Sequence, residues 1–132
     1  MGNEDLLKIA KNARIRSVCP LSSYAVGAAL LAKSGTVYIG TNIEDKVIMS
    51  LSNCAERVAI QNAITHGDRE ILKIAVVGGK KDSNYLDNTV PCGACLQYML
   101  NLDENIEVIF YNDGEVCVKK VKDFFVQPFK LD

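Results

Sequence analysis

Three cysteines and one glutamate have the types and spacing that could form a metal-dependent catalytic site. "NCAER" places Cys54 two residues before Glu56, and "PCGAC" contains Cys92 and Cys95 as a C-x-x-C pair. On a helix, the second spacing puts both sulfurs on one face of the first turn, where the helix dipole favours thiolate. Cys54 also stands where a helix is predicted to begin. Two facing helix N-termini could therefore present three thiolates to one cation.

Three thiolates with an open fourth position are typical of a catalytic zinc ion rather than a structural one. Such a zinc lowers the pKa of a bound water toward about 7, and Glu56 could move the proton without binding metal. His66, the only histidine, lies about three helical turns beyond Cys54 and is poorly placed as a fourth ligand. A redox pair at Cys92 and Cys95 is the competing interpretation, although a thioredoxin-like motif follows an early strand and this one comes late.

The composition excludes several classes of protein. The chain has 132 residues, of which 48% are apolar and 23% charged, with a formal net charge of -1. This charge disfavours a nucleic acid polymer as partner, because such binding rests on clustered Lys and Arg. The longest mainly apolar run, residues 24–32, falls short of the roughly 20 residues of a membrane span. We therefore expect a single domain over residues 1–132 with no membrane partner.

The cysteine count and the N-terminus bear on the compartment. Five cysteines are an odd number, which disfavours a disulfide framework. The first ten residues are acidic and lack the apolar region of a signal peptide. We therefore expect a soluble, cytoplasmic protein in which Cys19 and Cys117 act as small apolar residues.

The hydrophobic pattern predicts an α/β fold. Helices are expected over residues 3–17, 54–66 and 92–102, with Asn3 as an N-cap. Strands are expected in "YAVGAALLA", "TVYIGTN", "ILKIAVVG", "IEVIFY" and "EVCVKKV", followed by a short helix or loop at "VKDFFV". The turn at "KSG" makes the first two strands a hairpin, so the sheet should be mixed. The order of elements predicts a three-layer α/β/α sandwich around a mixed sheet of about five strands.

The same residues resemble a known family. C-A-E followed by P-C-x-x-C is the zinc deaminase signature, in the form where a cysteine replaces the usual histidine. "YAVGAALLAKSGTVYIGTNIED", "NCAERVAIQNAI" and "PCGACLQYML" are similar, in that order, to the small single-domain cytidine deaminases. The blocks cover most of residues 20–100. The resemblance implies hydrolysis of cytidine or deoxycytidine to uridine or deoxyuridine and ammonia, in pyrimidine salvage.

The resemblance also implies the reacting groups and the assembly. Cys54, Cys92 and Cys95 would bind one zinc ion per subunit. Glu56 would take a proton from the attacking water and give protons to N3 and to the leaving amine, which is general acid–base catalysis by one carboxylate. The small single-domain members form homotetramers whose active sites borrow residues from neighbouring subunits, so a homotetramer is expected here.

Further residues are assigned by the resemblance to the substrate. The backbone N–H of Ala55 would help to hold the base, and Asn42 and Glu44 match a pair that hydrogen-bonds the ribose 3′-hydroxyl. Tyr24 falls where a Phe commonly packs against base and sugar. Without the family, "TNIED" would be interpreted as a polar strand end and Tyr24 as a core aromatic.

The net charge of the predicted zinc site suggests a role for Arg57. Three thiolates and Zn²⁺ sum to -1, and an arginine that hydrogen-bonds the sulfurs would offset this charge. The competing interpretation is a surface arginine on a helix.

Four departures from the family pattern concern the substrate rather than the zinc. They are the hydroxyl of Tyr24, Asp45 in place of a frequent Asn, the segment "KVIMSLS" at 46–52, and Leu96 in place of a frequent Arg. Tyr24 and the changed segment at 45–52 motivate an alternative substrate, another aminopyrimidine nucleoside such as blasticidin S, although Glu44 suits a 3′-hydroxyl. The alternative from a different class is a non-catalytic zinc-binding or redox protein, which would have no use for Glu56.

Overall fold

A five-stranded mixed sheet forms the centre of the protein, and helices cover both of its faces. The computed structural model describes residues 1–131. The helices are α1 (Asn3–Ala13), α2 (Ala55–Thr65) and α3 (Gly93–Leu102). The strands are β1 (Tyr24–Ala32), β2 (Val37–Thr41), β3 (Ile71–Lys80), β4 (Glu107–Asn112) and β5 (Glu115–Lys120). Single 3-10 turns lie at Arg14–Arg16, Met49–Leu51 and Val121–Phe124.

The strand order is β2-β1-β3-β4-β5. β1 is antiparallel to both β2 and β3, β3 is parallel to β4, and β4 is antiparallel to β5. Parallel neighbours need a crossover, and here α3 supplies it between β3 and β4. The predicted mixed sheet and three-layer α/β sandwich are confirmed.

Adjacent residues of β1 and β3 pack into two different hydrophobic cores, one on each face of the sheet. Ala29 and Ala75 pack with Leu6, Leu7 and other residues beneath α1. Their neighbours Ala28 and Ile74 pack on the other face with residues of α2 and α3. Side chains alternate along a strand, so a sheet covered on both faces needs apolar residues at every position. This explains the nearly continuous apolar sequence of β1 and β3.

A close backbone contact sets the position of α2. A Cβ at Gly40 of β2 would overlap the carbonyl oxygen of Ala55 and lie 2.5 Å from the backbone nitrogen of Ala59. The first turn of α2 therefore lies directly on β2, which only a residue without a side chain permits. This contact fixes the end of α2 that carries Cys54 and Glu56.

The first helix differs from the prediction in two details. It ends as an α-helix at Ala13, and residues 14–16 form a 3-10 turn in which Arg14 Nε donates to the Ala25 carbonyl oxygen at 3.1 Å. The N-cap is Gly2, without a side-chain hydrogen bond, so the prediction of Asn3 as N-cap is wrong. Asn3 Oδ1 instead accepts a hydrogen bond from Lys73 Nζ at 2.8 Å, a partner 70 positions away. Among residues 1–131, no helix has the length and apolarity to cross a membrane.

Candidate active site

The N-termini of α2 and α3 bring the three cysteine sulfurs together. Cys54 and Cys92 occupy the N-cap positions with extended backbone, and neither side chain caps its helix. Their thiols are therefore free to turn toward each other, and the two Sγ atoms lie 3.8 Å apart. Cys95, one turn into α3 and fully buried, completes a group of three Sγ atoms within 4.8 Å of one another.

The charge balance of this group fits a divalent cation. A hydrogen bond from the Cys95 thiol, with a further one from Arg57, lowers the pKa of Cys54. The same contact with Cys54, together with burial, raises the pKa of Cys95. One thiolate therefore forms readily, whereas a second is opposed by the first. A bound cation compensates the negative charge and so allows further thiols to ionise. Zinc prefers sulfur ligands, so the three cysteines suit zinc.

Arg57 lies beside the sulfurs rather than on the open surface. Its Nη2 donates to Cys54 Sγ at 3.5 Å, within the range of hydrogen bonds to sulfur. Its Nε is buried and has no hydrogen-bond acceptor in residues 1–131. A guanidinium with a spare N–H fits a cluster that gains negative charge as its thiols lose their protons.

Glu56 is a buried acid in the first turn of α2, with only 3% of its surface exposed. Burial, the largest cause, raises the pKa of this carboxyl to about 7. A carboxyl group with a pKa near neutrality can both accept and donate protons, which is the property of a general acid–base catalyst. Glu56 also lines the same cavity as Cys54 and Cys92.

This cavity, of about 550 Å³, brings most of the candidate residues together. Its lining includes the six candidates Tyr24, Asn42, Glu44, Cys54, Glu56 and Cys92. Ala55 and Arg57 also line it, whereas Cys95 does not. Two other cavities, one beside Lys8 and Lys81 and one beside Leu100 and Phe129, contain none of these groups. The chemistry therefore points to the cavity at the cysteine cluster.

Asn42 is held by three neighbours in the protein and keeps one free donor. Its Oδ1 accepts from the backbone N–H of Val26 at 2.9 Å and from the hydroxyl of Ser17. Its Nδ2 donates to the carbonyl oxygen of Tyr24 at 2.8 Å. A primary amide has two N–H donors, so one remains for a ligand.

Glu44 fixes the loop before β1. Its Oε1 accepts from the backbone N–H groups of Leu21 and Ser22 at 3.0 and 3.1 Å, and its Oε2 accepts from the Ser22 hydroxyl at 2.6 Å. The Ser22 hydroxyl is the largest of the causes that lower the pKa of Glu44. A carboxylate has about four acceptor positions, so one remains available.

Tyr24 reaches the cavity instead of the core. It is half-buried, and its hydroxyl oxygen lies 2.6 Å from Thr89 Oγ1. Burial, the largest cause, raises the pKa of Tyr24, and the nearby Asp87 carboxylate adds to this effect. The competing interpretation of Tyr24 as a core aromatic does not describe this position.

The other singled-out residues lie apart from the cluster. His66 is at the opposite end of α2, where its Nδ1 lies 2.8 Å from the Asn62 carbonyl oxygen and its ring packs on Tyr38. Cys19 is buried and Cys117 half-buried, and neither belongs to the group of three.

The structure adds two lining residues that sequence reasoning missed, Thr89 and Val90. Met49 and Ser50 also line the cavity, and they belong to the 46–52 segment that departs from the family pattern. Thr89 precedes Cys92 by three residues, so proximity to the ligand pair was the one available signal.

Comparisons with known proteins agree on one family. Residues 2–112 match the family model described as the cytidine and deoxycytidylate deaminase zinc-binding region. A cytidine deaminase from Sporosarcina psychrophila is 39% identical, over 81% of this chain and 83% of the relative. One from Halalkalibacterium halodurans is 43% identical, over 77% of this chain and 73% of the relative.

Solved structures give the same result. The crystal structure of cytidine deaminase from Burkholderia pseudomallei superposes with a TM-score of 0.85 at 38% identity, covering 98% of this chain and 100% of that one. The enzyme from Mycobacterium tuberculosis gives a TM-score of 0.82 at 26% identity, covering 99% of both chains. The chain therefore belongs to the cytidine and deoxycytidylate deaminase family, whose zinc-binding region it contains.

Proposed function

We propose that this protein is a zinc-dependent hydrolase that converts cytidine or deoxycytidine to uridine or deoxyuridine and releases ammonia. One observation carries the proposal. The buried Glu56 carboxyl shares a cavity of about 550 Å³ with a group of three cysteine sulfurs. A structural zinc site has no need of an acid in an open cavity, which disfavours the non-catalytic alternative. The relatives named cytidine deaminase support the choice of substrate.

Cys54, Cys92 and Cys95 would hold the zinc ion, one per subunit. When bound, zinc supplies Lewis-acid chemistry that makes water nucleophilic near neutral pH. Arg57 would reduce the charge of the sulfurs through its hydrogen bond to Cys54.

Glu56 would carry the protons of the reaction. It accepts one proton from the water that attacks C4 and passes it to N3 of the pyrimidine. It then transfers the second proton of that water to the amine, so the two protons end on N3 and in the departing ammonia. A carboxyl group with a pKa near 7 can serve in both directions, because neither protonation state is strongly favoured.

The substrate would be held at both ends of the cavity. The backbone N–H of Ala55 belongs to the first turn of α2, where helix N–H groups lack intrahelical acceptors, and it would donate to the base. Asn42 has one free N–H and Glu44 one free acceptor position, as counted above. A ribose 3′-hydroxyl both accepts and donates a hydrogen bond, so it would match this pair.

The segment at 45–52 would contact a neighbouring subunit. Val47, Ile48, Met49 and Leu51 are 80%, 54%, 70% and 66% exposed, and Met49 also lines the cavity. Exposed apolar side chains grouped in this way mark interaction surfaces. We infer a homotetramer in which neighbouring subunits complete the cavity. Each subunit is a single domain over residues 1–132. We also infer a role in cytoplasmic pyrimidine salvage.

The assay that tests the proposal compares substrates directly. Zinc-loaded protein is incubated with cytidine, deoxycytidine, cytosine and blasticidin S, and ammonia release is measured with the metal content. We expect turnover of cytidine and deoxycytidine. Turnover of blasticidin S alone would contradict the substrate and leave the reaction intact, whereas a folded, zinc-free, redox-active protein would contradict both.

A further inference from the structure

A second cavity, of about 410 Å³, lies on the α1 face of the sheet and has a basic wall. The charged residues of its lining are Lys8, Lys11, Arg14, Lys81 and Asp82. Four positive side chains and one negative side chain give this wall a formal charge of +3, whereas the whole chain has a net charge of -1. We call it the basic cavity, because positive charge is concentrated there against the overall balance of the protein.

The four cations come from two separate stretches of chain. Lys8, Lys11 and Arg14 recur every three residues along α1 and the 3-10 turn that follows it, so they lie on one side. Lys81 directly follows β3, and its backbone N–H donates to the Ser23 carbonyl oxygen at 2.8 Å. In the described part of the chain, none of the four forms an ion pair with an acidic side chain. A cleft lined by uncompensated charge of one sign attracts ions of the opposite sign.

Arg14 is held in place and keeps two donors free. Its Nε donates to the Ala25 carbonyl oxygen at 3.1 Å, and its Nη2 donates to the carbonyl oxygens of Gly79 and Lys80, both at 3.2 Å. A guanidinium has five N–H groups, so these three bonds leave the two on Nη1, which have no acceptor among residues 1–131. A fixed, planar guanidinium with spare N–H groups suits the oxygens of a phosphate.

The basic cavity is separate from the cavity at the cysteine cluster. Ala25 lines the basic cavity, whereas its neighbours Tyr24 and Val26 line the other one. Side chains alternate along a strand, so the two cavities lie on opposite faces of β1. A ligand of the basic cavity would therefore not occupy the place of the nucleoside.

We propose that the basic cavity binds a small molecule with a diphosphate or triphosphate chain, held by Arg14 and the flanking lysines. Such a chain carries several negative charges, which match the charge of +3 on the wall. The volume also falls within the range of small-molecule sites, about 300–1,000 Å³. The chain could belong to an inorganic ion or to a nucleotide. This inference goes beyond the proposed function, because it requires neither cytidine nor turnover.

The test measures binding by calorimetry at low ionic strength on zinc-loaded protein. The probes are inorganic triphosphate and ATP, and zinc content is checked after each titration because phosphate chains also bind zinc. Lys8→Gln with Lys81→Gln forms the cavity pair. Lys120→Gln with Lys122→Gln forms the control pair, which removes the same charge from exposed positions outside the basic cavity.

Two single variants probe the wall in opposite directions. Arg14→Gln removes the fixed guanidinium, and urea denaturation reports whether the variant is folded. Asp82→Asn removes the single acid of the lining. Its backbone has φ 67°, a left-handed conformation that asparagine also tolerates, so this variant should fold normally.

We expect saturable binding of both probes by the wild-type protein. Arg14→Gln should raise Kd about tenfold or more, the effect of lost hydrogen bonds to a charged group. The cavity pair should raise Kd about fivefold, and Asp82→Asn should lower it about twofold, because exposed charges contribute less. The control pair should bind like the wild type. Tighter binding of ATP than of triphosphate would assign the nucleoside to the apolar side chain of Ile15, and equal affinities would assign the site to the phosphate chain alone.

Two results would overturn the inference. One is the absence of saturable binding by the wild-type protein at ligand concentrations up to about 1 mM. The other is an equal Kd for the cavity pair and the control pair, which would show that the ligand responds only to the total charge of the protein. The second comparison decides the matter even if Arg14→Gln does not fold. Ammonia release from cytidine tests the proposed function separately, so either proposal can fail without the other.

Discussion

Gly40 and Ala55 are in such close contact that β2 and the first turn of α2 meet without any side chain between their backbones. The turn that holds Ala55 also holds Glu56 and follows Cys54, so the sheet fixes the candidate metal ligand and the candidate acid together.

Gly40→Ala should destabilise the fold and disturb the metal site. Its methyl group would force α2 away from β2, and overpacking of this kind costs about 1–3 kcal/mol or more in the free energy of unfolding. Gly27→Ala is the control, because its methyl group would strike the Ala10 carbonyl of α1 on the opposite face of the sheet. Urea denaturation and zinc content per folded chain are measured. Equal zinc retention in both variants would contradict the positioning role of Gly40.

Arg57→Gln should weaken zinc binding. Removing the guanidinium leaves the charge of three thiolates uncompensated, and changes around metal ligands of this kind typically cost about 10–100-fold in affinity. Competition with a chromophoric chelator gives the zinc dissociation constant. Arg69→Gln, an exposed arginine in the loop between α2 and β3, should leave that constant unchanged. If the two variants hold zinc equally well, Arg57 is not a charge compensator.

Asn42→Ala should affect both stability and substrate binding. The substitution leaves the part-buried N–H of Val26 without an acceptor, at a cost of about 1–3 kcal/mol, and leaves the Ser17 hydroxyl with only the backbone carbonyl oxygen of residue 42 at 3.4 Å. It also removes the free N–H that would reach the 3′-hydroxyl, so KM should rise. Ser17→Ala separates the two effects, because it removes the hydroxyl that bonds the side chain and the backbone carbonyl of Asn42 but no residue of the cavity lining. A KM that rises equally in both variants would show that Asn42 acts only through the fold.

Val47→Asp combined with Ile48→Asp should break the assembly. Two charges in an apolar subunit contact are costly to bury, so light scattering should report dissociation. Activity should fall as well, because a neighbouring subunit no longer completes the cavity. Ile15→Asp places a charge on a residue that is 79% exposed on the α1 side and should change neither. A wild-type monomer with full activity would refute the proposed tetramer.

Local sequence rules were sufficient for most of the fold and for the metal group. Cys92 and Cys95 share a face because of their spacing alone, and the apolar runs of β1 and β3 indicated a sheet covered on both sides. They failed where a distant residue decided the outcome. Asn3 lies inside the helix and its side chain binds Lys73, which is 70 positions away. Gly78 of β3 leaves the space in which the side chains of Tyr24 and Thr89 meet. Such contacts leave no periodic signal in the sequence.

The residual catalysis of Glu56→Gln, measured on protein with its zinc content confirmed, is the sharpest test of Glu56 as the proton carrier. Glutamine keeps the size of the side chain but cannot shuttle protons, so ammonia release from cytidine should fall by about 10²–10⁴-fold while zinc is retained. Glu115→Gln, an exposed glutamate at the start of β5, should retain full activity. Cytidine turnover at the wild-type rate by zinc-loaded Glu56→Gln would contradict the central claim that Glu56 moves the protons of the reaction.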